Sequence, residues 1–264
     1  MGLATSQTFA EDTYVAFGVR EGEARVPIDG VYVINLASMP DRWLRAQRAF
    51  QEVGIEPKRI DAVDLRKDPS QAHEYLSEEA MQQLQHFKVT GGRRKCADFG
   101  SPGMVGCFMS HLKAYRQIIN DQCRNALILE DDFIWNKEAF LNMSKYLQRV
   151  PLDFDIFNLG VFNRDLPHQA SVDGIQRVHH FFQLHAYIVS ATGAEKLQRL
   201  LLPMRKQIDC QIGDLNEQGE LITYATTFPL IWQRGILTTT IQSMPTHPLD
   251  DMYIPLQFGY ERTT

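Results

Sequence analysis

The sequence predicts an α/β fold built on a mostly parallel sheet with helices on both faces. Three observations carry that expectation. Short apolar runs of strand length recur along the chain, stretches of helical periodicity lie between them, and one run leads straight into an acidic triplet, Glu130-Asp131-Asp132. In sheets of this kind, ligands bind beyond the carboxyl ends of the strands.

The elements follow in order. Residues 1–29 are mixed and acidic, with Glu11, Asp12, Glu21 and Glu23, and read as a loosely packed arm. Val31-Tyr32-Val33-Ile34-Asn35-Leu36 is β-branched and almost continuously apolar, the pattern of a strand buried on both faces. Ser38 and Asp41 offer a capping box for a helix in which Trp43, Ala46, Phe50 and Val53 repeat at helical spacing, and Gly54 stands at its C-cap. A second strand is predicted over 59–63, and Ser77 caps a short helix carrying Leu76, Met81 and Leu84. From His86 to Gly106 the periodicity disappears. Four glycines with Arg93, Arg94 and Lys95 make that stretch read as a mobile basic loop, suited to a lid over a diphosphate and equally to a solvated loop.

Helical spacing resumes through Phe108, Leu112, Tyr115 and Ile119, and Ala126-Leu127-Ile128-Leu129 is the buried strand that feeds the triplet. Further strands are predicted over 155–159, 186–189, 221–225 and 228–232, with an amphipathic helix over 192–202 ended by Pro203. A main domain over 30–244 and a polar tail over 245–264 complete the organisation.

Composition narrows the function classes. Hydrophobic residues at 44% supply a sizeable core, and a net charge of -5 with 22% charged residues argues against disorder and against a dedicated nucleic-acid binder. No apolar run approaches the roughly 20 residues that cross a bilayer. Met1 to Ala10 has neither a basic nor an apolar signal region, so a cytoplasmic setting with peripheral membrane association is expected. The four cysteines form no C-x-x-C pair and read as thiols of a reducing compartment.

The triplet carries the most chemistry. Side chains alternate along an extended chain, so Glu130 and Asp132 project to one side and Asp131 to the other. Carboxylate oxygens suit a hard cation such as magnesium or manganese, whose remaining shell comes from water and substrate phosphate. The bland alternative is a solvated acidic turn. A second constellation, Gly103 to His111, opens a helix with glycines and places Ser110 and His111 early on it. Free amides there favour an anion, whereas a lone helical histidine is more often a packed, hydrogen-bonded residue.

Taken in order, Val33-Ile34-Asn35-Leu36 with Pro40-Asp41-Arg42, Arg59-Ile60-Asp61-Ala62-Val63-Asp64, Gly106-Cys107 with Ser110-His111, and Leu127 to Asp132 resemble glycosyltransferase family 25. Asp155 to Gly160, Ala186 to Ser190 with Gly193-Ala194, and Ile208-Asp209 fit as well. That family includes bacterial lipooligosaccharide galactosyltransferases and collagen galactosyltransferases. The resemblance implies a Rossmann-like fold of the glycosyltransferase-A type, a UDP-sugar donor, a divalent metal with manganese foremost, and inversion at the anomeric carbon. It also implies a glycan, glycolipid or glycoprotein acceptor.

Carried over residue by residue, the resemblance makes Asp132 the main metal ligand with Glu130 beside it, and puts Asp131 nearer the nucleoside. Asn35, Arg42, Asp61, Asp64, Ser110 and His111 are expected at the nucleotide. Taken singly, Asp61 and Asp64 equally read as turn residues and Arg42 as a solvated helix charge. Inverting transfer needs a base for the acceptor proton. Asp209 is the first candidate and Asp214 the reserve, each equally readable as a helix cap, and His185 or His247 are candidates to complete the metal shell.

Two departures from the family pattern bear on the acceptor and on the C-terminal contacts. Met104 stands where an acidic residue is frequent, and Thr240-Ile241-Gln242-Ser243 replaces a Ser-Asp-Ile. Two other classes fit the acidic strand end: a metal-dependent nucleotidyltransferase or phosphohydrolase, and a non-catalytic module that binds sugar nucleotides.

Overall fold

Strands whose alternate residues are all apolar leave no side for water, so they gather into one sheet between helical layers. The computed structural model describes residues 26–66, 68–135, 142–160 and 174–234. His247, residues 240–243 and the tail over 245–264 lie outside the described residues, as does most of the arm.

The chain runs β1 (Gly30–Asn35), α1 (Pro40–Gln51), β2 (Lys58–Asp61), a 3-10 segment (Pro69–Tyr75), α2 (Glu78–Thr90), α3 (Pro102–Asn120), β3 (Asn125–Glu130) and β4 (Phe133–Trp135). It continues through α4 (Met143–Leu147), β5 (Ile156–Asn158), β6 (Ile175–Val178), β7 (Ala186–Ser190), α5 (Ala191–Leu200), α6 (Ile208–Glu217), β8 (Thr223–Thr226) and β9 (Ile231–Gln233). Seven strands form a sheet in the order β2-β1-β3-β7-β5-β8-β6, and β4 pairs with β9 in a separate ribbon. β1 is parallel to β2 and β3, and β5 to β8, whereas β7 opposes β3 and β5 and β6 opposes β8. All strands of the sheet but β6 and β7 therefore point one way, the mostly parallel arrangement expected.

Alternation along the strands builds two cores. Tyr32, Ile34, Ala126 and Ile128 share one with Phe108, Tyr115 and Ile118 of α3. Val31, Val33, Leu127 and Leu129 share the other with Phe50 of α1 and with Met143 and Leu147 of α4. Val26 and Ile28 join this second core, and Arg124 pairs with Asp29 at 2.7 Å, so the last residues of the expected arm are anchored. Among the described residues no helix is long and apolar enough to cross a membrane.

Several local expectations change. Ser38 and Asp41 make no capping box: Met39 is the N-cap residue with no side-chain bond, and Pro40 instead supplies a preset φ and removes an N–H that would have had no partner. Gly54, at φ 73°, does end the helix. Its N–H meets the Gln51 carbonyl at 3.2 Å and that of Ile55 meets Phe50 at 3.1 Å, the bond pair of a left-handed helix stop.

The basic loop is shorter than expected, because α2 runs to Thr90 and α3 starts at Pro102. The last residues of α2, Lys88, Val89 and Thr90, are all exposed, so no apolar stripe marks them in the sequence. What remains is tied down: Arg93 donates to the Cys96 carbonyl at 2.8 Å, Arg94 pairs with Asp98 at 3.5 Å, and the Gln207 amide donates to Cys96 at 2.6 Å.

Candidate functional site

The chain passes from β1 to β2 on one side and later returns to β3 on the other, which opens a crevice at the carboxyl ends of these strands. Its walls are Ile34, Leu36, residues 62–64, Arg66, Arg42 of α1, the α3 residues Gly103, Cys107 and Ser110, and all three acids of the triplet.

α3 reaches the crevice through a backbone-to-backbone contact. A Cβ on Gly106 would stand 2.4 Å from the Val63 carbonyl oxygen, so only glycine allows the approach. One turn on, the Ser110 hydroxyl accepts from the Val63 N–H at 2.9 Å and donates to the Gly106 carbonyl at 2.6 Å. Gly106 and Ser110 thus clamp the loop after β2. Ser110 and His111 sit in the third turn of α3, away from the free amides at its start, so neither belongs to an anion cradle there. The expected result for Gly106→Ala is a loss of about 1–3 kcal/mol from overpacking, read as a thermal midpoint lower by roughly 2–10 °C. An unchanged midpoint would mean that the helix does not bear on this loop.

The triplet divides between two sides, although only Glu130 belongs to β3 and Asp131 and Asp132 form the turn that follows it. The Asp131 carboxylate accepts from Asn35 Nδ2 at 2.6 Å and from Arg42 Nη1 at 3.0 Å, and the same Asn35 nitrogen donates to the Met39 carbonyl at 3.0 Å. Burial pushes the Asp131 carboxyl up, and the bonds from Asn35 and Arg42 pull it partly back. Asn35 is buried, and its Oδ1 has no hydrogen-bond partner among the described residues.

Glu130 and Asp132 turn to the other side and share a partner. Gln233 Nε2 lies 3.4 Å from Glu130 Oε2 and 3.4 and 3.3 Å from the two Asp132 oxygens. The ribbon brings it there: β9 pairs with β4 so that Gln233 faces Phe133, and the Arg234 N–H closes on the Asp132 carbonyl at 2.7 Å. Burial first, then the charges of Glu130 and Asp131, push the Asp132 carboxyl up to about 7. Burial works the same way on Glu130, but the hydrogen bond and charge of His111 outweigh it and hold that carboxyl below its usual range. A buried and a part-buried carboxylate bridged by one amide form a hard-oxygen set, and they fit a divalent cation.

The other expected residues are distributed unevenly. Asp64 holds Arg66 through two bonds of 2.7 Å, and both line the crevice. Asp61 is exposed, paired with Arg59 at 3.2 Å and outside the crevice lining. His111 is buried behind Glu130, with Nδ1 on the Tyr187 hydroxyl at 2.8 Å and Nε2 on Glu130 Oε1 at 3.3 Å. His185 faces the Ile231 carbonyl at 2.9 Å, and burial lowers its pKa.

Asp209 lies in the first turn of α6, where its carboxylate accepts from the Gln183 N–H at 3.2 Å and the Cys210 N–H at 2.8 Å. Burial raises its pKa, and the charge of Glu130 adds to the rise. Gln183 holds that contact with φ at 74°, a costly conformation for a residue with a side chain. Asp214 pairs with Lys206 at 2.7 Å and is not gathered with the others.

Sequence reasoning missed Arg66, Cys107 and Gln233 as site residues. Arg66 had a usable signal in its place two residues after Asp64, and Cys107 had one in its position one helical turn before His111.

Comparison with known proteins gives the family of the chain. The family described as "Glycosyltransferase family 25 (LPS biosynthesis protein)" matches residues 28–212. A "Glycosyltransferase 25 family member" of Drosophila melanogaster is 25% identical over 191 residues, 70% of this chain and 30% of the relative. "Procollagen galactosyltransferase 1" of Danio rerio is 24% identical over 238 residues, 86% of this chain and 38% of the relative. A "Probable inactive glycosyltransferase 25 family member 3" of Bos taurus is 26% identical over 181 residues, 66% and 29% of the two chains. The chain spans about a third of the length of these curated relatives.

Proposed function

Because the chain belongs to glycosyltransferase family 25, we propose that it transfers a hexose, galactose foremost, from a UDP-sugar to a hydroxyl of a glycan, glycolipid or protein acceptor, with inversion. The observation that carries this reading is the crevice itself, lined by three carboxylates at the end of β3 and by two arginines, Arg42 and Arg66. A nucleoside diphosphate presents anionic oxygens that match the guanidinium groups, while its hydroxyls and base N–H groups match carboxylate and amide acceptors. The Oδ1 of Asn35, without a partner among the described residues, is one such acceptor. The galactosyltransferase names of relatives support galactose as the sugar.

Each group then has a task. Asp131, fixed by Asn35 and Arg42, is rigid enough to orient the nucleoside. Arg66, held by Asp64 at the crevice wall, attracts the diphosphate. Glu130 and Asp132 hold a divalent cation, manganese in this proposal, which stabilises charge on the departing diphosphate when bound. Asp209 takes the acceptor proton, because a carboxylate raised by burial is a stronger base than a solvated one.

The test is UDP release from a panel of UDP-sugars, with manganese or with chelator, in the presence of simple sugar acceptors. Metal-dependent release from one donor, with the sugar moved intact, is the expected result. Release of UMP or phosphate in place of UDP would support nucleotidyl transfer or phosphohydrolysis instead. Saturable binding of a donor without turnover would support a non-catalytic module, the state that the Bos taurus relative's name describes for that protein.

A further inference from the structure

We propose that Cys107, His111 and Glu130 form a separate metal site for a thiophilic divalent cation of the zinc class, next to the Asp132 carboxylate but not made by it. The inference does not depend on the sugar-transfer reading. Cys107 and His111 stand one turn apart on α3 and project from the same face, opposite the end of β3. One ligand atom from each of the three residues lies within 4.8 Å of the others.

The spacing fits a tetrahedral ion. Glu130 Oε1 lies 3.3 Å from His111 Nε2 and 3.7 Å from Cys107 Sγ. Zinc bonds of roughly 2.0–2.3 Å at tetrahedral angles set ligand-to-ligand edges of about 3.3–3.6 Å. The two edges that meet at Glu130 Oε1 are therefore already close to those of a bound ion, and the third, between Cys107 and His111, is no longer than 4.8 Å.

Hydrogen-bond logic orients the imidazole toward that point. Tyr187 donates its hydroxyl hydrogen to Tyr115 at 2.9 Å, so its oxygen is left to accept from His111 Nδ1, 2.8 Å away. With the ring hydrogen on Nδ1, Nε2 faces the carboxylate, and the pair needs a cation between them, either a proton or a metal. All three rings are fully buried.

A second histidine neighbours Glu130. His185 is the cross-strand neighbour of Glu130, whose N–H donates to the His185 carbonyl at 2.9 Å, so both side chains lie on one face of the sheet. Its Nε2 meets the Ile231 carbonyl and must carry the hydrogen, which leaves Nδ1 as a buried acceptor with no partner among the described residues.

Ligand chemistry separates this site from the one at Asp132. Thiolate and imidazole select zinc-class ions, whereas carboxylates alone select manganese or magnesium. Glu130 spans the two, offering Oε1 to one and Oε2 to the other. Cys107 and Glu130 both line the crevice, so an ion has an entry path, and the thiol proton leaves to solvent as it binds.

The experiment titrates the metal-stripped full chain with cobalt(II) as a spectroscopic probe and then with competing zinc. One equivalent of cobalt giving a thiolate-to-cobalt charge-transfer band, displaced by zinc, is the expected result. Cys107→Ser should abolish the band, Asp132→Asn should keep it, and Tyr187→Phe should keep it with affinity about 10–100-fold weaker. Zinc should also shield Cys107, and not the exposed Cys96, from alkylation, a readout that needs no folded variant. No charge-transfer band, a band that survives Cys107→Ser, or alkylation of Cys107 unaffected by zinc overturns the proposal. Manganese dependence of sugar transfer lost in Asp132→Asn reports on the other site, so the two readings fail separately.

Discussion

Replacing Asp132 with Asn is expected to cut UDP-sugar turnover by about three orders of magnitude, roughly 4 kcal/mol of barrier, while making the metal-free protein more stable at pH 8. Both effects come from one cause. Burial and the neighbouring charges of Glu130 and Asp131 raise the Asp132 carboxyl from 3.8 to about 7. In the unfolded chain that group ionises near its ordinary value. Between about pH 4 and 7 the folded protein binds a proton that the unfolded chain has lost, so stability falls as pH rises through this window. The full penalty is present above pH 7, at most about 4 kcal/mol from the size of the shift.

An amide at the same position carries no charge to bury, so the variant escapes the penalty. The gap between Asp132→Asn and the native chain should therefore be small near pH 4 and widest at pH 8, where the variant melts several degrees higher. Manganese should raise the melting point of the native chain and leave the variant unmoved. Denaturation curves at both pH values, with metal and with chelator, check all three statements. A variant that is inactive and also less stable at pH 8 would show that Asp132 is a structural carboxylate.

How much of this was legible depends on the range of the contacts. β1 and β3 could be read because burial on both faces makes every residue from Val31 to Ile34 and from Ala126 to Leu129 apolar, a signal that needs no partner. The split of the triplet was expected from alternation along an extended chain, whereas Asp131 and Asp132 in fact lie in the turn after β3 and are held apart by Asn35 and Arg42 on one side and Gln233 on the other. Gln233 could not be foreseen, since it meets Glu130 and Asp132 only through the pairing of two three-residue strands about 100 positions apart, and strands that short show no period. The glycines and Ser110 of α3 leave an anion cradle and a packed helix both open, because the sequence shows only small and polar residues on a helix. It does not show the Val63 backbone against which Gly106 and Ser110 pack. The position of Asp61 was hidden for a related reason: the end of a strand fixes a residue's level in the sheet, but the side on which it emerges is set by pairing, and Asp61 emerges into solvent beside Arg59.

Asp209→Asn should lower the turnover number by about 10³-fold, within the range for loss of a general base, with donor affinity unchanged. The separation follows from position. Asp209 lies at the start of α6, outside the crevice walls that are proposed to bind the nucleotide, yet near enough for the charge of Glu130 to act on it. Its loss should appear in kcat and not in the KM for donor. Burial raises its pKa, so the acid limb of the native pH–rate profile should lie above the ordinary carboxylate range, and in the variant that limb should vanish. The amide keeps one oxygen to accept from Gln183 or Cys210, which limits structural damage, and an unchanged circular dichroism spectrum checks that. If the acid limb persists in Asp209→Asn, another carboxylate takes the proton. Asp214→Asn is then the next variant, and a loss there would require that its ion pair with Lys206 opens during turnover.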